Sequence, residues 1–380
     1  MSLPPAELQP SVAADRWIRA TYRVQAPASA IEARAQAIAL EQSIELPLDA
    51  VREPRVLRDV VARVADIVPA GPETFAVTLQ LAAETTGFEA GQLLNMLFGN
   101  TSLQDDVALV DVAMPASFAA RFGGPRFGIG GIREITGVRG RPLTCSALKP
   151  LGLEPGQYAA IARTFARAGI DVIKDDHGLA DQAIAPFAVR VREVQSAVDA
   201  VNREVGTHCI YAPSVSGSYD RIGEQVSEAR RRGVRMLLIA PMVTGVAALS
   251  ALARDAAMPI IAHPALAGAM RIAAPLLLGK LFRLFGADAT IFPNAGGRFS
   301  YGPEICAGIA DVARAPWQHL APTLPVPAGG MSVERVPEMV ERFGDDVMLL
   351  IGGNLLTAGD QLLPRCRAFV DAVSAHGVHR

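Results

Sequence analysis

Cysteine is scarce in this chain. The four in 380 residues are Cys145, Cys209, Cys306 and Cys366, and no two stand at C-x-x-C spacing. That speaks against a thiolate metal site of the finger type, and it fits a reducing, cytoplasmic setting better than a disulfide framework. Net charge is also nearly absent. Lys plus Arg is 36 against 38 for Asp plus Glu, a balance of -2. A near-neutral chain has no field to draw it to nucleic acid or an anionic membrane, so neither is expected as a partner. An anionic substrate would have to meet a local positive site. Long apolar runs are missing too. The most apolar stretches, such as 273–278, fall far below the ~18–20 residues of a spanning helix. The start, Met-Ser-Leu-Pro-Pro, has no basic segment leading into an apolar one, so no signal peptide is expected, and Met1-Ser2-Leu3 reads as a cloning remnant.

What is present is material for a large core. Half of the residues are apolar and 19% are charged, and the length suggests two domains. From about residue 141 one rhythm repeats. A short apolar run ends in a polar residue or glycine, and an amphipathic helical stretch follows. The runs are 143–149, 171–176, 208–214, 236–241, 259–264, 289–294, 324–329 and 347–353, with helical stretches such as 155–168 and 219–232 between them. Eight such units predict a parallel (β/α)8 barrel over 136–380. A doubly wound open sheet gives the same count. Residues 1–135 read differently, with strand-like runs at 20–24 and 74–81 and helical ones at 28–41 and 88–97. They predict an α+β domain. The glycine-rich stretch 123–131 reads as a connector and does not open a helix as a dinucleotide fingerprint would.

In such a barrel the site lies at the C-terminal ends of the strands. The runs deliver Lys149, then Asp175-Asp176-His177, then Ser214, His263, Asn294, Gly329-Gly330 and Gly352-Gly353 to that rim. Glycine pairs after strands seven and eight suit a phosphate, because bare N–H groups can approach it, although ordinary tight turns give the same pattern. Strand alternation sends Lys174 and Asp176 to one side and Asp175 to the other. Asp176 and His177 together favour a divalent metal, and Lys174 could join only as a carbamate. A buried Lys–Asp ion pair is the alternative. Lys149 at a strand end is a candidate acid or base, or else a lysine reaching for solvent. His263 is likewise either an acid/base or phosphate contact or a structural histidine.

These residues resemble a known family. The segment 140–153 with Lys149-Pro150, the run 169–177 ending Lys174-Asp175-Asp176-His177, the segments 324–331 and 343–353 with their glycine pairs, and 95–100 are similar, in order, to ribulose bisphosphate carboxylase (RuBisCO) and to the RuBisCO-like proteins of form IV. The resemblance implies a ferredoxin-like N-terminal domain and a TIM barrel. It implies that Lys174 is the carbamylated lysine and Asp176 a magnesium ligand. Lys149 would move protons at the substrate carbons, with His263 near the substrate and Gly329, Gly330, Gly352 and Gly353 on a phosphate. It also implies a homodimer in which Glu41 and Asn100 complete the neighbouring subunit's site.

The departures are equally informative. His177 stands where the family has a glutamate. The expected cofactor is still a divalent metal, magnesium first, but the softer imidazole weakens that preference and admits manganese or zinc. The second lysine after the first strand is missing, Pro264 replaces an arginine, Asn294 replaces a histidine, and Arg298 replaces a lysine. Each lost contact is worth a few kcal/mol, roughly, of transition-state stabilisation, so carboxylation of ribulose bisphosphate is not expected. What remains suits metal-dependent enolate chemistry on a phosphorylated sugar derivative. A neutral His177 and cationic Arg298 would welcome a substrate bearing its own carboxylate. That favours a decarboxylase or transcarboxylase/hydrolase of the 3-oxo-isoapionate 4-phosphate type, a lyase-like reaction in carbohydrate metabolism. The alternatives are a methylthio-sugar phosphate enolase or isomerase of sulfur salvage, and a non-catalytic metabolite binder.

Overall fold

The computed structural model describes residues 15–377. The segment bearing on a leader or cloning remnant, 1–14, lies outside the described residues. The chain divides into two compact units. One runs to Phe122 and includes Gly268–Leu276, and the other takes Gly123–Ala267 and the chain from Leu277 on.

The first unit carries β1 (Trp17–Gln25), β2 (Arg63–Gly71), β3 (Thr74–Ala82) and β4 (Val107–Ala113). They form an antiparallel sheet in the order β2-β3-β1-β4. Helix Ile31–Glu41 links β1 to β2, and helix Ala90–Phe98 precedes β4, which is the βαββαβ order of a ferredoxin-like domain. Central strand β1 buries Ile18, Ala20, Tyr22 and Val24 at every second position, and the Tyr22 hydroxyl donates to Leu97 O at 2.7 Å, tying sheet to helix. Strands β2 and β4 go beyond the two runs legible in the sequence. Both are edges. β2 is largely exposed and contains Pro69, as an edge strand allows. The edge of β4 is covered by the inserted segment, with Leu109 N–H donating to Arg271 O and Ala273 N–H to Leu109 O, each at 2.9 Å.

The second unit contains all eight expected strands: β5 (Leu143–Leu148), β6 (Val172–Asp175), β7 (Ile210–Ala212), β8 (Leu237–Ile239), β9 (Ile260–Ala262), β10 (Ala289–Pro293), β11 (Leu324–Ala328) and β12 (Met348–Leu350). They pair in parallel in the order β7-β6-β5-β12-β11-β10-β9-β8. A bridge between Ser214 and Leu238 joins the two end strands, with Val215 N–H donating to Leu238 O and Leu238 N–H to Pro213 O at 2.9 Å. The ring is therefore a barrel and not an open doubly wound sheet. Its interior is packed by alternate residues such as Cys145, Val172, Ile210, Leu238, Ile261 and Val326. Pro325 and Pro327 lie inside β11. Leu324 N–H bonds toward β10, so alternation points the missing proline donors at β12. On that side the register contains the single pair Ala328–Leu350.

The stretch expected to be a connector contains a helix, Gly128–Thr136. It packs Ile129 and Ile132 into the barrel core, so the compact barrel unit begins at Gly123 rather than at the expected 136. Two glycines in the helix and one at its entry masked its periodicity. Buried Asp288 fixes it in place. One carboxylate oxygen accepts from Phe127 N and Gly128 N at 2.7 Å, and the other from Ile260 N at 2.8 Å. Asp288→Ala would leave three N–H groups, two of them buried, without an acceptor. The expected cost is about 3–5 kcal/mol, read as a drop in unfolding free energy by urea titration. No helix among the described residues is long and apolar enough to cross a membrane, and all four cysteines are free and buried.

Candidate active site

The end of β6 sets the site. Lys174 pairs with Ala147 of β5 and Ala212 of β7, and its alternation matches that of Val172 in the barrel core. Its side chain is 3% exposed, and its amine donates to the carbonyl of Asp175 at 2.9 Å. Burial pushes the Lys174 pKa down, which favours the neutral amine. Asp175 faces the opposite way. Its carboxylate meets the Arg190 guanidinium, the Tyr211 hydroxyl and Ser214 N–H. In place of the Lys174–Asp176 ion pair offered as an alternative, Asp176 pairs with Lys149, and Asp175 pairs with Arg190 on the outer side of the strand.

Asp176 is the hub of the mouth. Lys149 Nζ donates to its Oδ2, Gly178 N–H donates to Oδ1 at 3.0 Å, and His177 Nδ1 lies 3.3 Å from Oδ1. Burial alone would raise this carboxyl's pKa, but the Lys149 ammonium and the Gly178 N–H outweigh it and hold it below its usual value. The His177 ring stacks on His263 with centroids 4.0 Å apart and planes 9° from parallel. Burial lowers the His177 pKa against the opposing pull of the Asp176 carboxylate, and the neighbouring cations add to the lowering. His263 is pushed down to about 2, first by burial and then by the Lys174 charge. Its Nδ1 accepts from Ala265 N–H at 3.1 Å, which leaves the ring hydrogen of the neutral imidazole on Nε2. The mouth thus gathers Lys149, Lys174, Asp176, His177 and His263.

The donor set can be tested against a divalent cation. Among the described residues no group of three His, Cys, Asp or Glu side chains gathers to hold a metal. The 3.3 Å between His177 Nδ1 and Asp176 Oδ1 matches the spacing of about 3.0–3.4 Å between two ligands that each stand ~2.1 Å from one ion. These two fit as neighbouring donors, one anionic and one neutral.

The glycine turns stand on neighbouring strands. Gly329 and Gly330 have φ of 78° and 67°, conformations that favour glycine. A Cβ on Gly330 would lie 2.2 Å from Gly297 Cα in the turn after β10. Arg335 holds these two turns together, donating to Gly330 O and Ala295 O. A Cβ on Gly352 would come within 3.9 Å of Lys149 Cε, whereas Gly353 faces open space. Among the described residues, none of these four glycine N–H groups donates to a main-chain carbonyl in a turn or loop. Arg298 stacks on Phe299 at 5.0 Å. Glu41 and Asn100, in the other unit, are bonded to each other on an exposed face, with Asn100 Nδ2 donating to Glu41 Oε1 and Glu45 Oε1 at 3.0 Å.

Two residues that support the site escaped the sequence reading, Arg190 and Tyr211. The signal for Arg190 was available. It falls in the apolar stripe of helix Phe187–Val205, beside buried Phe187, Val191 and Val194, where a cation needs a buried partner.

Comparison with known proteins agrees with this architecture. Residues 128–361 match the family described as ribulose bisphosphate carboxylase large chain, catalytic domain. The chain is 52% identical to the 5-methylthioribulose-1-phosphate isomerase of Rhodospirillum rubrum, over 94% of this chain and 96% of that protein. It is 34% identical to the 2,3-diketo-5-methylthiopentyl-1-phosphate enolase of Geobacillus kaustophilus, over 78% and 75%. The crystal structure of a Rubisco-like protein from Rhodopseudomonas palustris superimposes with a TM-score of 0.90 at 48% identity, covering 96% of this chain and 99% of that one. The chain therefore belongs to the RuBisCO large-chain family, as a RuBisCO-like protein.

Proposed function

We propose that this protein is an isomerase of a phosphorylated methylthio-sugar, of the 5-methylthioribulose 1-phosphate class, working by proton transfer beside a carbonyl. The carrying observation is the 52% identity over 94% of the chain to an isomerase of that name. The site chemistry supports it. Lys149 gives or takes the proton at the substrate carbons, and Asp176, bonded to it, holds the amine in place. His263, kept neutral, offers an N–H to a substrate oxygen. The N–H groups of Gly329, Gly330, Gly352 and Gly353 take the phosphate, with Arg298 adding positive charge. Relatives with a stated activity act on methylthio-sugar phosphates, so this reading takes the place of the oxo-sugar-acid decarboxylase or hydrolase expected from His177 and Arg298.

Lys174 as a carbamate, Asp176 and His177 would hold a divalent cation. When bound, the cation polarises the substrate carbonyl and so acidifies the neighbouring C–H. The imidazole of His177 favours manganese or zinc over magnesium. Treatment with EDTA should lower turnover at least ~100-fold, and Mn2+ should restore it at lower concentration than Mg2+. Restoration at equal or lower Mg2+ would contradict that order. In the assembled protein, a homodimer, Glu41 and Asn100 serve the neighbouring subunit's site.

The test is proton NMR of purified protein in D2O with 5-methylthioribulose 1-phosphate. The expected result is deuterium entry beside the carbonyl and conversion to an isomeric ketose phosphate. Turnover of 2,3-diketo-5-methylthiopentyl 1-phosphate instead would make it an enolase. Carboxylate loss from a 3-oxo-isoapionate 4-phosphate-type substrate, with no isomerisation, would reinstate the earlier expectation.

A further inference from the structure

The Asp175 carboxylate lies outside the mouth, yet it stands between Lys174 and Asp176 in the chain and is fully buried. Its Oδ1 accepts from the Tyr211 hydroxyl at 2.7 Å. Its Oδ2 accepts from Ser214 N–H at 3.0 Å and Arg190 Nε at 3.2 Å. The same guanidinium turns its Nη1 to Ala180 O at 2.9 Å and Ala185 O at 2.8 Å. One buried cation thus bridges the end of β6 and the loop that follows His177, while Tyr211 and Ser214 tie the same carboxylate to β7. Replacing a buried ion pair by apolar groups of similar size is often neutral or stabilising, so stability alone is a weak reason to have one. Charge-assisted bonds in a dry setting do fix direction. We infer that Asp175, Arg190 and Tyr211 are positioning residues. They hold the strand end and the 176–186 loop from behind, so that Lys174, Asp176 and His177 present their donor atoms together.

The inference rests on the site reading given above, and its test includes one arm that does not. Tyr211→Phe deletes a single hydroxyl, and Arg190→Lys keeps the charge but loses the fork that reaches the loop. Hydrogen–deuterium exchange on the full-length variants is expected to quicken at least ~10-fold across 176–186, with the segments bearing β9 to β11 unchanged. Mn2+ alone, followed by electron paramagnetic resonance without substrate, is expected to bind at least ~5-fold more weakly. Inorganic phosphate should bind as before. Exchange in 176–186 that does not change, or that quickens equally throughout the barrel, overturns the inference. Should Arg190→Lys fail to fold, Tyr211→Phe carries the test. Should the unmodified protein take up no Mn2+, the metal reading fails, and the exchange result alone supports or overturns the positioning role.

Discussion

Lys149→Met is expected to lower isomerase turnover by about 10³–10⁴, the range of a lost proton-transfer group, while the thermal midpoint stays near that of the unmodified protein. Two features separate the effects. The Lys149 side chain is 38% exposed, so its ion pair with Asp176 is screened by solvent and contributes little to stability. Its amine is nevertheless the cationic donor bonded to the hub carboxylate of the mouth. Methionine keeps the stem's volume and packing beside Gly352. Asp176 then still accepts from Gly178 N–H. Stopped-assay rates and a melting curve on one preparation decide the matter. Turnover within ~10-fold of normal would remove Lys149 from proton transfer, and a fall of more than ~10 °C in the midpoint would make the lysine structural.

Gly330→Ala is expected to damage both the barrel rim and phosphate binding. The residue has φ of 67°, which costs a side chain roughly 1 kcal/mol or more. The new methyl would also point at main-chain Gly297, 2.2 Å from its Cα, and no side-chain rotation can relieve a clash with backbone. The turns after β10 and β11 must part. We expect a lower melting temperature and a KM for the phosphorylated substrate at least ~10-fold higher. Gly353→Ala is the control, because a Cβ there meets open space. It should leave the melting temperature unchanged and raise KM only through the phosphate. Equal KM for both variants and the unmodified protein would move the phosphate elsewhere.

Much of this architecture was legible because the barrel writes the same pattern eight times. Each strand is a short, buried, apolar run between helices, and closure needed only the Ser214–Leu238 bridge. The opposed directions of Lys174 and Asp175 followed from the two-residue period of a strand alone. The N-terminal edges were not legible. β2 buries little and contains Pro69, so its pairing with β3 leaves no periodic trace. Helix Gly128–Thr136 hid among glycines, and its start is set by Asp288, 160 residues away in the chain. The stripe of helix Phe187–Val205 marks Arg190 as a buried cation that needs a partner, but its pairing with Asp175 was not legible. Arg190 finds that carboxylate through tertiary packing, and composition near Asp175 says nothing of it. The stacking of His177 on His263 joins β6 to β9 across the mouth and could not be read from either motif.

The most direct test is a crystal grown with Mn2+, bicarbonate and a phosphorylated methylthio-sugar analogue, read by the manganese anomalous signal. The account predicts a manganese peak touching Asp176, His177 and a carbamate on Lys174, with the ligand's phosphorus over the N–H groups of Gly330 and Gly353. Manganese bound away from those three side chains, or phosphorus on the far side of the mouth from the glycine turns, would contradict it.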